Sequence, residues 1–165
     1  MKKVSKSEIL KEVIKSLSLD IESIGESLAS TNKAIDNAPS AMESHSDTTR
    51  SQLTAVVGAI NQSFLEKSKG IETLKHLFKS NIDEEKFDEV KYGSIVILEK
   101  NGGIVENYFV LSAGSGIKVE NDGEKITCLT VSSPLGKILL GKEKGQSFNC
   151  VIGGKSQDFK ILDIL

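Results

Sequence analysis

The sequence has no tryptophan, two tyrosines and six phenylalanines among its 165 residues. So few aromatics are poor material for an aromatic-lined proline pocket, and a peptidyl-prolyl isomerase is not expected. Cysteine is scarce too: Cys128 and Cys150 are the whole complement, too few for a disulfide framework and at no metal-ligand spacing. Each lies in a strand-like stretch, where a thiol in a reducing compartment serves as a small buried hydrophobe. There is no basic excess. With 21 Lys+Arg against 23 Asp+Glu the net charge is −2, whereas binders of free DNA or RNA usually carry a clear positive surplus. A nucleic acid would be reached only through another protein. No apolar run approaches the roughly 18–20 residues of a membrane span, and no apolar stretch follows Met1-Lys2-Lys3-Val4-Ser5-Lys6 as a secretory signal would require. A cytoplasmic protein is the expectation. Missing as well are a phosphate-cradling glycine loop with its Lys-Ser/Thr pair and an HExxH helix, so no self-contained enzyme is expected.

What is present falls into two halves. Only three of the 14 glycines (Gly25, Gly58, Gly70) precede residue 80, and Pro39 is the single proline there. The other eleven glycines punctuate short apolar runs beyond residue 89. Helix followed by sheet is the simplest reading: an α+β chain with a helical hairpin over 1–80, a linker over 81–88 and a β-rich domain over 89–165.

In the first half, Leu10, Ile14, Leu17, Ile21, Ile24, Leu28, Thr31, Ile35 and Ala38 recur in steps of four and three. Thr49, Leu53, Val57, Ile60, Phe64, Lys67, Ile71, Leu74 and Phe78 do the same. The mean step of about 3.5 keeps one seam facing a partner helix. The two seams match in antiparallel register, because Ile35/Leu53, Thr31/Val57, Leu28/Ile60, Ile24/Phe64, Ile21/Lys67 and the pairs below them share one constant residue-number sum, 88. That register puts the turn at Ser44 and makes each arm about 50 Å long at 1.5 Å per residue. Ser5-x-x-Glu8 has the pattern of a capping box, Pro39 must end or kink the first helix, and Lys67 is expected to reach past Ile21 toward water.

Charge along this hairpin is uneven. Between residues 27 and 65 only Lys33, Asp36, Glu43, Asp47 and Arg50 are charged, and Ser51–Leu65 carries none. Either Ser, Thr, Asn and Gln alone keep that surface soluble, or it enters a confined site on a partner or packs on a second copy. At the apex, Glu43 and Asp47 are four residues apart and could jointly hold a divalent ion, since magnesium takes one or two carboxylates and completes its shell elsewhere. Equally, Ser46 or Asp47 could cap the second helix.

The second half reads as strands Val90–Leu98, Ile104–Leu111, Lys125–Val131, Ser147–Ile152 and Asp158–Ile164 in an antiparallel sheet. Turns fall at Asn101-Gly102-Gly103, Asn121-Asp122-Gly123 and Gly153-Gly154, and Ala113-Gly114-Ser115-Gly116 reads as a loop. Ser132 or Ser133 ahead of Pro134 starts a short helix that Gly141 stops.

Val131-Ser132-Ser133-Pro134-Leu135-Gly136-Lys137-Ile138-Leu139-Leu140-Gly141-Lys142, with Gly145 and Gly153-Gly154-Lys155…Phe159-Lys160-Ile161-Leu162, resembles the C-terminal domain of the Gre transcript-cleavage factors (GreA/GreB type). Tyr92-Gly93-Ser94-Ile95-Val96 is similar to that family's opening strand. The resemblance covers about residues 88–165. It implies an FKBP-like fold without isomerase activity and a transcription elongation factor whose partner is RNA polymerase; a monomer is expected. Docking near the rim of the polymerase secondary channel would involve Ser132, Ser133 and Pro134. The hairpin would enter the channel, where tip acids help hold a magnesium ion of the polymerase, which then cleaves backtracked RNA. Asp47 stands for the family's first tip acid. Arg50 occupies the place of the second, so Glu43 would have to supply that carboxylate. The chain would need no cofactor of its own.

Overall fold

The computed structural model describes residues 5–38 and 49–165. Two long helices, α1 (Lys6–Asn37) and α2 (Thr49–Lys79), precede β1 (Ile95–Lys100), β2 (Ile104–Leu111), β3 (Lys118–Asn121), β4 (Glu124–Thr130), α3 (Pro134–Leu139), β5 (Ser147–Ile152) and β6 (Lys155–Ile164). This is the expected α+β architecture. No helix among the described residues is long and apolar enough to cross a membrane. The chain divides into two compact units, one being Leu17–Lys69 and the other the residues up to Ser16 together with Gly70–Leu165.

Within Leu17–Lys69 the 4-3 pattern is legible in the burial. Ile21, Ile24, Leu28, Thr31 and Ile35 on α1, and Leu53, Val57, Ile60, Phe64 and Lys67 on α2, are half-buried, while most residues between them are exposed. A two-helix seam shields side chains from only one side, so half-burial is what it can provide. The ammonium of Lys67 donates to Asp20 Oδ2 at 2.7 Å. This gives the expected reach past Ile21 a definite end point, in an exposed pair worth at most about 1 kcal/mol.

The other unit is built on a six-stranded sheet in the order β3-β4-β2-β1-β6-β5. Side chains alternate across a strand. One face of the sheet carries Val96, Leu98, Val110, Leu129, Phe159 and Ile161, packed with Leu135 and Leu139 of α3. The opposite face carries Ile95, Phe109, Leu111, Ile126 and Cys128, each at most 1% exposed. The helix bases within this unit bury Ile9, Leu10, Val13 and Leu74 completely, and Leu77 and Ile82 approach Gly93 in the turn ahead of β1.

Three features depart from the sequence reading. Leu111 is followed by a crossover through 112–117 to β3, a strand not anticipated, and β4 then inserts beside β2 in parallel; the rest of the sheet is antiparallel. The first strand starts at Ile95 rather than Val90. Residues 91–94 form a turn in which Gly93 has φ +90° and the Ser94 hydroxyl donates to Lys91 O at 2.7 Å. Residues 81–88, the expected linker, make specific contacts. Ile82 is 1% exposed, Asp83 Oδ1 accepts from the Ser7 amide, and the nearly buried Lys6 ammonium donates to Glu85 O while lying 4.5 Å from the Phe87 ring centroid. Burial lowers the pKa of Lys6 against the opposing pull of Glu85 and Asp83. For Asp83, burial works against ionisation, but hydrogen bonds from the Ser7 hydroxyl and from the Ser7 and Lys6 amides, with the Lys6 charge, outweigh it and hold the carboxyl below its usual value.

The start of α1 is a capping box opened by a third residue. Ser5 Oγ accepts from the Glu8 amide, yet the reciprocal bond runs through Asn121: the Ser5 amide donates to Asn121 Oδ1, and Asn121 Nδ2 donates to Glu8. Of the two donors of such a box, the Glu8 amide is satisfied within the first turn, while the Ser5 amide and the Glu8 carboxylate fasten α1 to β3 through Asn121.

Glycine positions in the two units should respond oppositely to alanine. A Cβ on Gly58 meets only open space, whereas one on Gly136 would collide with the Thr130 carbonyl. Urea denaturation should show Gly58→Ala stabilising by roughly 0.5–1 kcal/mol and Gly136→Ala destabilising by about 1–3 kcal/mol. A neutral Gly136→Ala would contradict the packing of α3.

Candidate partner-binding surface

The loop between β4 and α3 is shaped by one hydroxyl. Ser133 Oγ donates to Thr130 O at 2.7 Å and accepts from the Gly136 amide at 3.1 Å, which makes Ser133 the N-cap of α3 with Pro134 at the first helical position. Proline suits that position because the amide it lacks would have had no helical partner. Gly136 is small because the Thr130 carbonyl lies against its α-carbon. Leu135 and Leu139 are buried beneath, so the loop is held from below as well as along the chain.

The structure therefore separates the three residues expected at this dock. Ser132 and Pro134 are exposed, and Ser132 Oγ reaches Thr130 Oγ1 at 3.3 Å. Ser133 is half-buried with its hydroxyl committed inside the loop, so it positions its neighbours rather than offering a free group. The sequence reading missed two exposed residues nearby, Lys137 and Leu140. Pro134, Lys137 and Leu140 recur every three residues, which aligns them on the outer side of this short helix. Leu140 is 41% exposed; in sequence it could not be told from the buried Leu135 and Leu139.

The other expected site residues, Glu43 and Asp47, lie outside the described residues, as do Pro39, Ser44, His45 and Ser46. Arg50, one residue inside α2, is exposed. In the unit Leu17–Lys69, the Thr31 hydroxyl donates to Ser27 O, Ser27 to Ser23 O and Thr54 to Arg50 O. Of these, Thr54 lies in the uncharged stretch of α2, where a hydroxyl bonded back to its own helix leaves one free donor fewer.

Cys128 and Cys150 are free and buried, in keeping with a packing role. Burial pushes the Cys128 thiol up to about 12 and raises that of Cys150, so neither is a ready nucleophile. Among the described residues no group of three His, Cys, Asp or Glu side chains could hold a metal ion.

No family model matches the chain, and no curated protein matches it. Solved structures do. Gfh1 of Thermus aquaticus is 22% identical, over 91% of this chain and 92% of that one, at a TM-score of 0.39. GreA factor homolog 1 (Gfh1) of Thermus thermophilus is 20% identical over 92% and 94%, at 0.37. A further structure, of the transcription factor Gfh1, is 22% identical over 92% of each chain, at 0.39.

The division of labour in the loop predicts unequal alanine effects. Ser133→Ala should cost about 0.5–2 kcal/mol in chemical denaturation, as lost N-caps do, while Ser132→Ala should fall within about 0.5 kcal/mol of wild type. Equal effects would show that Ser133 is not the cap.

Proposed function

We propose that this chain regulates a bacterial-type RNA polymerase by docking through the β4–α3 loop and directing its helical hairpin into the secondary channel. The observation that carries the reading is the hairpin itself. The two seams keep one register, and outside them Ser51–Leu65 offers no charge to water. A probe entering a narrow channel must shed its hydration, and an uncharged surface sheds it at least cost. The exposed Ser132, Pro134, Lys137 and Leu140 on a rigidly capped loop suit a protein surface, and the residues of this segment are those that resemble the Gre factors.

At the tip, Glu43 and Asp47 would supply carboxylates to a magnesium ion shared with the polymerase. Two carboxylates are a donor set magnesium accepts when other oxygens complete the shell. The chain would bring no cofactor and catalyse nothing alone; it would modulate the polymerase's own active site, in the cytoplasm. A second reading, polymerase inhibition without cleavage, is favoured by one observation: Arg50 stands where the Gre pattern has its second acid. An oligomerising coiled coil with no polymerase contact is the reading from another class.

The test uses purified polymerase in stalled, backtracked elongation complexes with magnesium. Wild type should be retained by polymerase and shorten the transcript, and Glu43→Ala/Asp47→Ala should bind but lose at least tenfold in cleavage rate. Intact transcripts with wild type, together with competition for the channel, would replace cleavage by inhibition. Failure to bind polymerase at all would overturn both.

A further inference from the structure

The sheet has two edges, and they are managed differently. Natural proteins blunt an edge with charge, proline, shortness or a covering element, because its unpaired amides and carbonyls invite another strand. At one edge, β3 is four residues long, carries Lys118 and Glu120, and has Asn121 engaged by Ser5 and Glu8. At the other, β5 is six residues, Ser147-Phe148-Asn149-Cys150-Val151-Ile152, with no charge and no proline. Val151 is 61% exposed and Ile152 37%. Among the described residues β5 pairs only with β6.

The direction of the free groups follows from the ladder. Gly145 N donates to Ile161 O and Ile161 N to Gln146 O, and the register continues through Phe148↔Phe159, Cys150↔Gln157 and Ile152↔Lys155. A two-residue hairpin loop closes on a hydrogen-bonded pair, so Ile152, Cys150 and Phe148 turn their backbone groups toward β6. By the alternation of an antiparallel ladder, Ser147, Asn149 and Val151 turn theirs outward.

We infer that this edge is self-complementary and receives a second copy of the chain, the two β5 strands pairing antiparallel across a two-fold axis at Asn149. Only that register uses all three outward residues of both strands. Ser147 then faces Val151 of the second copy and Asn149 faces itself. On the face that packs against α3, Phe148 stands opposite Cys150, and since Cys150 is already buried in its own core only the half-buried Phe148 gains cover there. No like charges oppose one another along the strand, and the exposed Val151 gains cover. The contact is isologous, as two-fold interfaces are, and one strand wide, so the dimer forms reversibly with concentration, where the sequence reading had expected a monomer. The inference rests on the edge alone and stands apart from the polymerase reading.

Sedimentation velocity of the full chain over a concentration series tests it. Wild type should shift from monomer toward dimer. Ser147→Lys/Val151→Lys puts lysines opposite lysines and should remain monomeric at every concentration, whereas Ser147→Glu/Val151→Lys puts opposite charges face to face and should dimerise at least as well as wild type, circular dichroism confirming the fold of each. In wild type, the amides of Ser147, Asn149 and Val151 should exchange more slowly as concentration rises, a readout that needs no variant. A wild type that stays monomeric without such slowing, two variants that behave alike, or open-ended oligomers would each overturn the inference.

Discussion

The hairpin depends on one constraint: two helices must keep the same apolar side toward each other over many turns. An undistorted α-helix drifts away from a 3.5-residue repeat by about 20° per heptad, so the 4-3 spacing has to be maintained residue by residue. In Leu17–Lys69 it is, and the half-buried positions follow it on both helices. Each layer contributes part of the roughly 1.5–3 kcal/mol that full burial of a large side chain would give. This is enough, summed over the seam, to tolerate helical glycines and an uncharged exterior that adds no ion-pair support.

The sheet unit relies on a different device, polar groups spent locally. Ser133 holds the β4–α3 loop, Asn121 binds the start of α1 to β3, and Lys6 with Asp83 fixes the segment after α2. None of these bonds dominates, since a typical neutral one nets about 0.5–1.5 kcal/mol and one to a charged group about 1.5–3 kcal/mol. Their effect is geometric. The Ser133 bonds fix the loop on which Ser132 is left exposed and the helix start at which Pro134 is.

Much of this was legible from spacing alone. The seams, the Ser-Pro helix start, the glycine stop at Gly141 and the loop at 113–116 depend on local chemistry, and local chemistry is written in neighbouring residues. The misses were nonlocal. Lys118–Asn121 is too short and polar to signal a strand, and it exists because β4 supplies its ladder. The parallel β2–β4 pair depends on where the chain returns after a crossover, which no periodicity encodes. The contacts of residues 81–88 were not legible either: Asp83 accepts from Ser7, far away in sequence, and Ile82 packs at Gly93. At the candidate dock the sequence marked a segment by its resemblance alone. It could not show that Ser133 is consumed in holding the loop while Leu140 is left outside.

The register between the two seams is what the probe reading assumes, and a crosslink reads it directly. Cysteines replacing Leu28 and Ile60 occupy facing positions of the seam, and the native Cys128 and Cys150 are buried with raised thiol pKa values. In dilute protein under mild oxidation the account predicts rapid bridging within one molecule, much faster than for cysteines at Leu28 and Val56. Bridging only between molecules, or equal rates for both pairs, would contradict it.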